Sequence, residues 1–249
     1  MVKAYLRYEF AEAFGVISSN SNPLYDVTGK FIITSSLESI SIWNVKQGIL
    51  MAQLIPEGAS STATTALVKE VTVMARAPNS NILAAGYSDG SIGLWNLDTQ
   101  ECTATLKGHK RAVSCLRFNA PGDMLVSGSR DTDVVLWDVL SEAGLVRLKG
   151  HRDEVTDVAF IPRLRKVVTS SKDGLVKVWD LDTQHCCQTL TGFKAEVWSL
   201  DVDPLQRRLV TGATDNEIRV YGIQGWEGLD LAEAGESGNS ILGKKRKAG

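Results

Sequence analysis

The chain has only three histidines in 249 residues, which leaves little material for metal clusters or histidine-based catalytic triads. Its four cysteines, Cys102, Cys115, Cys186 and Cys187, show no C-x-x-C spacing. Neither a disulfide framework nor a zinc site is expected, and a reducing compartment is the default. No run of 18 apolar residues occurs, so no membrane-spanning helix is expected. An excess of either charge is missing too: 27 basic against 29 acidic side chains leave −2. That balance argues against a polybasic nucleic-acid binder or an acidic tail protein. Met1 to Phe14 carries charges throughout and lacks the apolar centre of a secretory signal. There is no G-x-S-x-G, no H-E-x-x-H and no phosphate-binding glycine loop. Gly86 and Gly90, around Asp89, belong to a turn. Neither a cofactor nor catalysis is expected. What remains is a 43% hydrophobic chain, long enough for one large domain or two small ones.

A repeat accounts for that material. Trp95, Trp137 and Trp179 are spaced 42 residues apart, and a further 42 leads to Tyr221. Trp43 lies 52 residues before Trp95, and the excess of ten matches Glu57 to Ala66 (EGASSTATTA), which reads as a loop insertion. An acidic residue precedes each of these aromatics, at Glu38, Asp89, Asp131, Asp173 and Asp215. Gly108-His109 and Gly150-His151 recur in phase, continued by Gly192-Phe193. Pro78, Pro162 and Pro204 mark one turn, with Pro121 one place off. These positions define five units.

Within a unit the texture is β. Ala112 to Phe118 alternates apolar and polar residues, and Pro121-Gly122-Asp123 is a turn cluster. Met124 to Ser129, Val134 to Asp138 and Leu145 to Lys149 follow as further short runs separated by turns. Four such runs predict a four-stranded antiparallel meander. Both faces of such a sheet are apolar, so copies must stack on one another. A radial array of these sheets is a β-propeller.

These residues resemble the WD-repeat family. Its signature is a Gly-His pair, an Asp in a tight turn and a Trp-Asp pair, at a period of 40–45 residues. Gly108-His109, Asp131 and Trp137-Asp138 fit it, as do Gly150-His151, Asp173 and Trp179-Asp180. The resemblance implies an all-β propeller of five recognisable blades. It also implies two hydrogen-bonded chains, His109–Ser127–Asp131–Trp137 and His151–Thr169–Asp173–Trp179. The other units depart from the pattern. Unit two has Ala66-Leu67 for Gly-His and Ala85 for the hydroxyl, unit five has Phe193 and Tyr221, and unit one has Gly15 and Glu38. Those blades are expected to hold by packing alone.

A narrower resemblance rests on Met1 to Ile17, Ile40 to Asn44 (ISIWN), Ala85 to Gly90 (AGYSDG), Gly128 to Asp138 (GSRDTDVVLWD), Leu145 to His151 (LVRLKGH), Val178 to Cys186 (VWDLDTQHC) and Glu196 to Leu200 (EVWSL). These segments are similar to the N-terminal propeller of the tandem-propeller WD-repeat subunits of the UTP-B group. Those subunits belong to the small-subunit processome and associate with U3 small nucleolar RNA. The likeness runs from Met1 to about Tyr221. It implies a non-catalytic nucleolar scaffold supporting U3-dependent 18S rRNA maturation. The implied partners are other processome WD-repeat proteins, with U3 RNA and pre-rRNA met inside the assembly, and no membrane or small-molecule substrate. In that family a second propeller and a helical region follow.

The repeat also supplies bland roles for reactive side chains. His109 and His151 are in phase and read as structural, His185 as an exposed residue of a fourth strand, and Cys102 and Cys186 as equivalent strand packing residues. Loops before the first strands and between the second and third strands are expected on one rim. They carry Lys110, Arg111, Arg130, Arg152, Lys172 and Lys194, a candidate rim for phosphate or an acidic peptide, interrupted by Asp153, Glu154 and Glu196. Residues 1–222 are read as the propeller blades. Residues 223–249, rich in Gly and Glu, are read as a disordered tail. The tail ends in Lys244, Lys245, Arg246 and Lys247, a candidate nuclear address.

Two other functions stay open. A substrate-receptor adaptor of a ubiquitin ligase often carries Trp-Asp-x-Arg, but the residues in the last place here are Lys46, Asp98, Leu140 and Asp182. A direct RNA binder wants net positive charge and aromatic stacking platforms. Seven blades of 42 need about 294 residues, the usual size of such a ring. The sequence therefore predicts roughly five-sevenths of a ring, an open arc or truncated product. Tyr5 to Phe10 has the alternation of an outer strand for a closing blade.

Overall fold

The computed structural model describes residues 18–19, 21–56, 69–215 and 217–223. The expected insertion at Glu57–Ala66, the expected strand at Tyr5–Phe10, Gly15 and the tail from residue 224 lie outside the described residues.

Five antiparallel sheets follow one another along the chain. The first holds β1 (Leu24–Tyr25), β2 (Phe31–Ser36), β3 (Ser39–Asn44) and β4 (Ile49–Leu54). The second holds β5 (Val71–Arg76), β6 (Ile82–Tyr87), β7 (Ser91–Asn96) and β8 (Glu101–Lys107). The third holds β9 (Val113–Phe118), β10 (Met124–Ser129), β11 (Val134–Asp138) and β12 (Ala143–Leu148). The fourth holds β13 (Val155–Ile161), β14 (Lys166–Ser171), β15 (Val176–Asp180) and β16 (Cys186–Leu190), with one 3-10 turn at Pro162–Leu164. The fifth holds β17 (Val197–Val202), β18 (Arg208–Ala213) and β19 (Ile218–Gly222). Each is a plain meander, and the five do not close into a ring. The unit read from residues 112–149 keeps its four strands, but the first begins at Val113 and the fourth runs Ala143–Leu148 in place of the expected Leu145 to Lys149.

The turn between third and fourth strands explains why Asn or Asp follows Trp43, Trp95, Trp137 and Trp179. The side-chain oxygen of Asn44, Asn96, Asp138 or Asp180 accepts the backbone N–H groups two and three residues on. This is the Asx-turn that favours these two residue types. The chain then passes through a left-handed residue, at Gly48 (φ 64°), Gln100 (61°), Glu142 (56°) and Gln184 (61°).

Burial is concentrated between blades. Each third strand turns two apolar residues toward the next blade: Ile40 and Ile42, Ile92 and Leu94, Val134 and Leu136, Val176 and Val178. The next blade answers with the first residue of its own first strand, Val71, Val113, Val155 or Val197, each fully buried. Fully burying such a side chain contributes about 1.5–3 kcal/mol, so every junction is a small core. Trp95, Trp137 and Trp179 sit on the opposite face of their blades, against the preceding one.

A polar latch accompanies each of three junctions. Every first strand from β5 onward carries a bulge at its second residue. A bulge re-aims the side chain it carries. Thr72 Oγ1 donates to the Val113 carbonyl at 2.6 Å, and Thr156 Oγ1 donates to the Val197 carbonyl at 2.5 Å. Ser114 makes the same bond to the Val155 carbonyl. In the fifth blade this position is Trp198.

Candidate functional site

The side chains that dominate the chemistry of the third and fourth blades form two matching chains. In the third, Trp137 Nε1 donates to Ser127 Oγ at 2.8 Å, and His109 Nε2 lies 2.7 Å from the same oxygen. His109 Nδ1 is 3.2 Å from both oxygens of Asp131. Asp131 also accepts the Lys110 N–H at 2.8 Å and the Asp133 N–H at 3.1 Å. The fourth blade repeats this. Trp179 Nε1 donates to Thr169 Oγ1 at 2.9 Å, His151 Nε2 is 2.7 Å from that oxygen, and His151 Nδ1 is 2.9 Å from Asp173.

Proton arithmetic fixes the direction of each chain. An ionised carboxylate only accepts, and an indole N–H only donates. The histidine therefore carries its proton on Nδ1, toward the carboxylate. Its bare Nε2 accepts the hydroxyl proton, and the hydroxyl oxygen accepts from tryptophan. This direction holds for the neutral imidazole, the form that burial favours. Burial pushes both histidines below their ordinary value, although the neighbouring carboxylates pull the other way. Burial also pushes Asp131 and Asp173 up. The Lys110 and Arg152 N–H groups and the two histidines outweigh it and hold both carboxyls below the usual range.

The glycine of each Gly-His pair makes room for the tryptophan. A Cβ on Gly108 would sit 2.7 Å from Cη2 of Trp137. Such an approach forces the ring or the backbone to move.

Titration of these chains has a definite sign. Both histidines bind protons less readily folded than unfolded, so their contribution is intact above about pH 6.5 and declines as pH falls below that value. The two carboxyls titrate lower in the fold, so their contribution is present above 3.8 and lost as pH falls through and below it. The melting temperature should therefore drop between about pH 7 and pH 5. A variant carrying His109→Gln and His151→Gln should show a flatter slope there. An equal slope would remove the histidines from the pH response.

Two departing blades are not held by packing alone, contrary to the expectation from sequence. In the second, Trp95 Nε1 donates to Tyr87 Oη at 3.2 Å. Lys69 lies 4.4 Å over the Tyr87 ring and 3.5 Å from Asp89. Gly93 gives the space: a Cβ there would meet Trp95 Nε1 at 2.9 Å and the Tyr87 ring at 3.3 Å. In the fifth, Arg219 takes the place of histidine. It bonds Asp215 at 2.7 Å and lies 4.5 Å over Phe193, whose ring is 6.5 Å from that of Tyr221. In these two blades the turn carboxylate keeps a cationic partner by a different route.

The six rim residues divide into two groups. Arg130 and Lys172 converge from adjacent blades on Glu154, at 3.1 and 2.7 Å. Lys172 also lies 4.7 Å over the half-exposed Trp198. Lys110, Arg111, Arg152 and Lys194 are exposed and make no ion pair with another described residue. Lys110 and Arg152 have their backbone N–H groups tied to Asp131 and Asp173, which anchors their loops. Of the remaining residues, His185 is exposed just before β16 and Cys102 is half-buried against the first junction core, but Cys186 does not pack as expected: it is exposed on β16, an outer strand left largely uncovered. Lys244, Lys245, Arg246 and Lys247 lie outside the described residues. Among the described residues, no group of three or more His, Cys, Asp or Glu side chains is placed to hold a metal ion.

Sequence reasoning missed one inter-blade cluster. Arg117 of the third blade reaches Asp201 of the fifth at 3.1 Å and Asp157 of the fourth at 3.8 Å. Asp157 also accepts the Leu200 N–H at 3.0 Å. Arg117 and Asp201 share one repeat position, 84 residues apart, but the equivalent residue between them is Ala159 and Asp157 lies two places off, so the phase alone does not mark the cluster.

Comparison with known proteins agrees with this geometry. Residues 30–223 match the family model described as the WDR3 first beta-propeller domain. The U3 small nucleolar RNA-associated protein 12 of Saccharomyces cerevisiae is 37% identical over 137 residues, covering 50% of this chain and 14% of the relative. The WD repeat-containing protein 3 homolog of Dictyostelium discoideum is 42% identical over 113 residues, covering 45% and 11%. WD repeat-containing protein 3 of Homo sapiens is 41% identical over 102 residues, covering 39% and 10%. The matched part is thus a small share of each of these longer relatives.

Proposed function

The chain belongs to the family of the WDR3 first beta-propeller domain, and on that footing we propose that it is a non-catalytic scaffold in ribosome biogenesis. Its place would be the small-subunit processome, where it would support U3-dependent 18S rRNA maturation. The observation carrying this reading is the family match across all five blades, together with a relative whose name records association with U3 small nucleolar RNA. The side-chain geometry favours a frame over a reaction centre. Both in-phase histidines are buried and committed to tryptophan-linked chains, with no free basic nitrogen turned toward solvent. Other processome WD-repeat proteins, U3 RNA and pre-rRNA are the proposed partners, and the nucleolus is the proposed location.

Residues 1–222 are proposed to act as the propeller unit and residues 223–249 as an appended segment. Lys244 to Lys247 would address the chain to the nucleus. Removing residues 244–247 from a fluorescently tagged chain should reduce nuclear accumulation; unchanged nuclear signal would refute that role.

The rim is the proposed contact surface, and the structure sharpens how to test it. Arg130 and Lys172 share the one carboxylate of Glu154, so reversing them would disturb the junction between blades. Lys110, Arg111, Arg152 and Lys194 are the better choice. Charge reversal of these four should weaken retention of pre-ribosomal RNA or protein partners. It should also flatten the salt dependence of that retention, since fewer counterions are exchanged. A variant retained like the wild type at every salt concentration would take the rim out of the proposal.

A further inference from the structure

The blades meet along grooves that open on the rim carrying the turns from first to second and from third to fourth strands, opposite the basic rim. Between the second and third blades this groove is closed. Phe118 and Val139 are each 7% exposed, and Asn79 Nδ2 donates to the Ala120 carbonyl at 3.0 Å, joining the two loops. Between the third and fourth blades it is open. Phe160 and Leu181, the equivalents of Phe118 and Val139, are only partly buried there and line a cavity of about 550 Å³. That volume lies in the range of clefts that seat a ligand. Both blades that form the cavity, and the blades on either side of them, are among the described residues.

The two sides of the cavity differ in chemistry. The third blade supplies an apolar wall of Met124, Val146 and Leu145, the last 50% exposed on the bulge of β12. Leu140, in the turn leading into β12, is 85% exposed, where the other four-stranded blades carry Lys46, Asp98 and Asp182. The fourth blade supplies a basic wall of Arg165 and Lys166, at positions held by Asn81 and Ile82 in the second blade and by Asp123 and Met124 in the third. Asp123 is the one carboxylate lining the cavity, and it accepts from Asn119 Nδ2 at 2.6 Å. Arg165 reaches Asp182, outside the cavity, at 3.2 Å, but both side chains are more than half exposed, and such a pair holds its partners weakly. Lys166 stands opposite Asp180 of β15, whose carboxylate accepts the N–H groups of Asp182 and Thr183. The matching groove between the first and second blades is about 280 Å³ and is lined by Asp26 and Asp98, so a basic wall is not a general property of these junctions.

We propose that the groove between the third and fourth blades binds an extended acidic–apolar segment of a partner protein. Its apolar side chains turn to the third blade and its carboxylates to Arg165 and Lys166. Successive side chains of an extended chain point to opposite sides, so a segment alternating apolar and acidic residues satisfies both walls at once. Extended peptides gain their specificity from pockets for alternate side chains in this way. The site lies on the rim opposite Lys110, Arg111, Arg152 and Lys194 and stands apart from the ribosomal reading.

The probe is a fluorescein-labelled peptide, Leu-Glu-Phe-Glu-Leu-Glu, titrated with the full chain and followed by anisotropy. Saturable binding with a Kd of about 1–100 μM is expected. The peptides Leu-Lys-Phe-Lys-Leu-Lys and Ser-Glu-Ser-Glu-Ser-Glu, which each mismatch one wall, should bind about tenfold more weakly or worse. Lys166→Glu and Leu145→Asp change partly exposed and exposed positions, and each should weaken the first peptide by about tenfold. Lys166→Glu should also improve binding of the lysine peptide, a gain that a merely damaged fold would not give. Charge reversal at Lys110, Arg111, Arg152 and Lys194 should leave the first peptide's affinity unchanged. Three results would overturn the proposal. One is no saturable binding up to about 1 mM peptide. Another is binding indifferent to Lys166→Glu or to Leu145→Asp. The third is binding lost on reversal of the four rim cations, which would place the peptide on the other rim.

Discussion

Asp131→Ala should destabilise the third blade by about 3 kcal/mol, because hydrogen bonds to a charged group contribute about 1.5–3 kcal/mol and a buried donor left behind adds its own cost. The carboxylate accepts from His109 Nδ1 and from the N–H groups of Lys110 and Asp133. Of these, the His109 ring is fully buried, with 0% of its side chain exposed, so no water replaces the lost acceptor. Asp131→Asn keeps an acceptor and should lose about half as much. In a stacked array each blade contacts only its neighbours, so the loss should show first as faster amide exchange in β9 to β12. Urea unfolding of the two variants, read beside that exchange, checks the effect. A midpoint equal to wild type for Asp131→Ala would show that the chain is ornamental to stability.

Trp137→Ala should cost more, about 3–5 kcal/mol, the usual range for removing a buried large aromatic. The ring is 3% exposed and packs in the junction core between the second and third blades, so its removal opens a cavity between two sheets. Trp137→Phe separates the parts. It keeps most of the packing but loses the bond to Ser127 Oγ, and should cost about 1–2 kcal/mol. A double-mutant cycle of Trp137→Phe with Ser127→Ala should give a coupling of at least about 0.5 kcal/mol, as expected for residues in one network. Additive effects would mean that the indole works by packing only. The same cycle at Trp95 and Tyr87 asks whether the second blade's substitute bond does equivalent service.

How much of this was legible depends on whether a feature keeps the repeat's phase. The 42-residue period located the tryptophans, the turn acids and the two hydroxyls, and those residues meet at hydrogen-bonding distance in the third and fourth blades. Strand positions followed as well, because alternation and turn clusters recur in each unit. What stayed hidden lies off phase. Tyr87 stands two residues beyond Ala85, the position equivalent to Ser127, so reading down the column finds an alanine and concludes that no polar bond exists. Arg219 replaces histidine from the third strand rather than from the loop before the first. Glu154 pairs with two rim cations only because adjacent blades bring Arg130 and Lys172 within reach, a fact of packing rather than of pattern. The latch hydroxyls Thr72, Ser114 and Thr156 do keep phase, but their meaning needs the bulge that aims them at the next blade.

These details bear on function through rigidity. Loops on the basic rim are anchored at their bases by the turn carboxylates, so Lys110 and Arg152 are presented from fixed backbone. A surface held in this way suits recognition within a large assembly, where pre-organised contacts lose less entropy on binding.

The most direct test is affinity purification of the tagged chain from nuclear extract, followed by mass spectrometry and RNA sequencing. The account predicts enrichment of small-subunit rRNA-processing proteins together with U3 RNA, diminished by charge reversal at Lys110, Arg111, Arg152 and Lys194. Enrichment of cullin-ligase components without those proteins, or nothing above the tag alone, would contradict it.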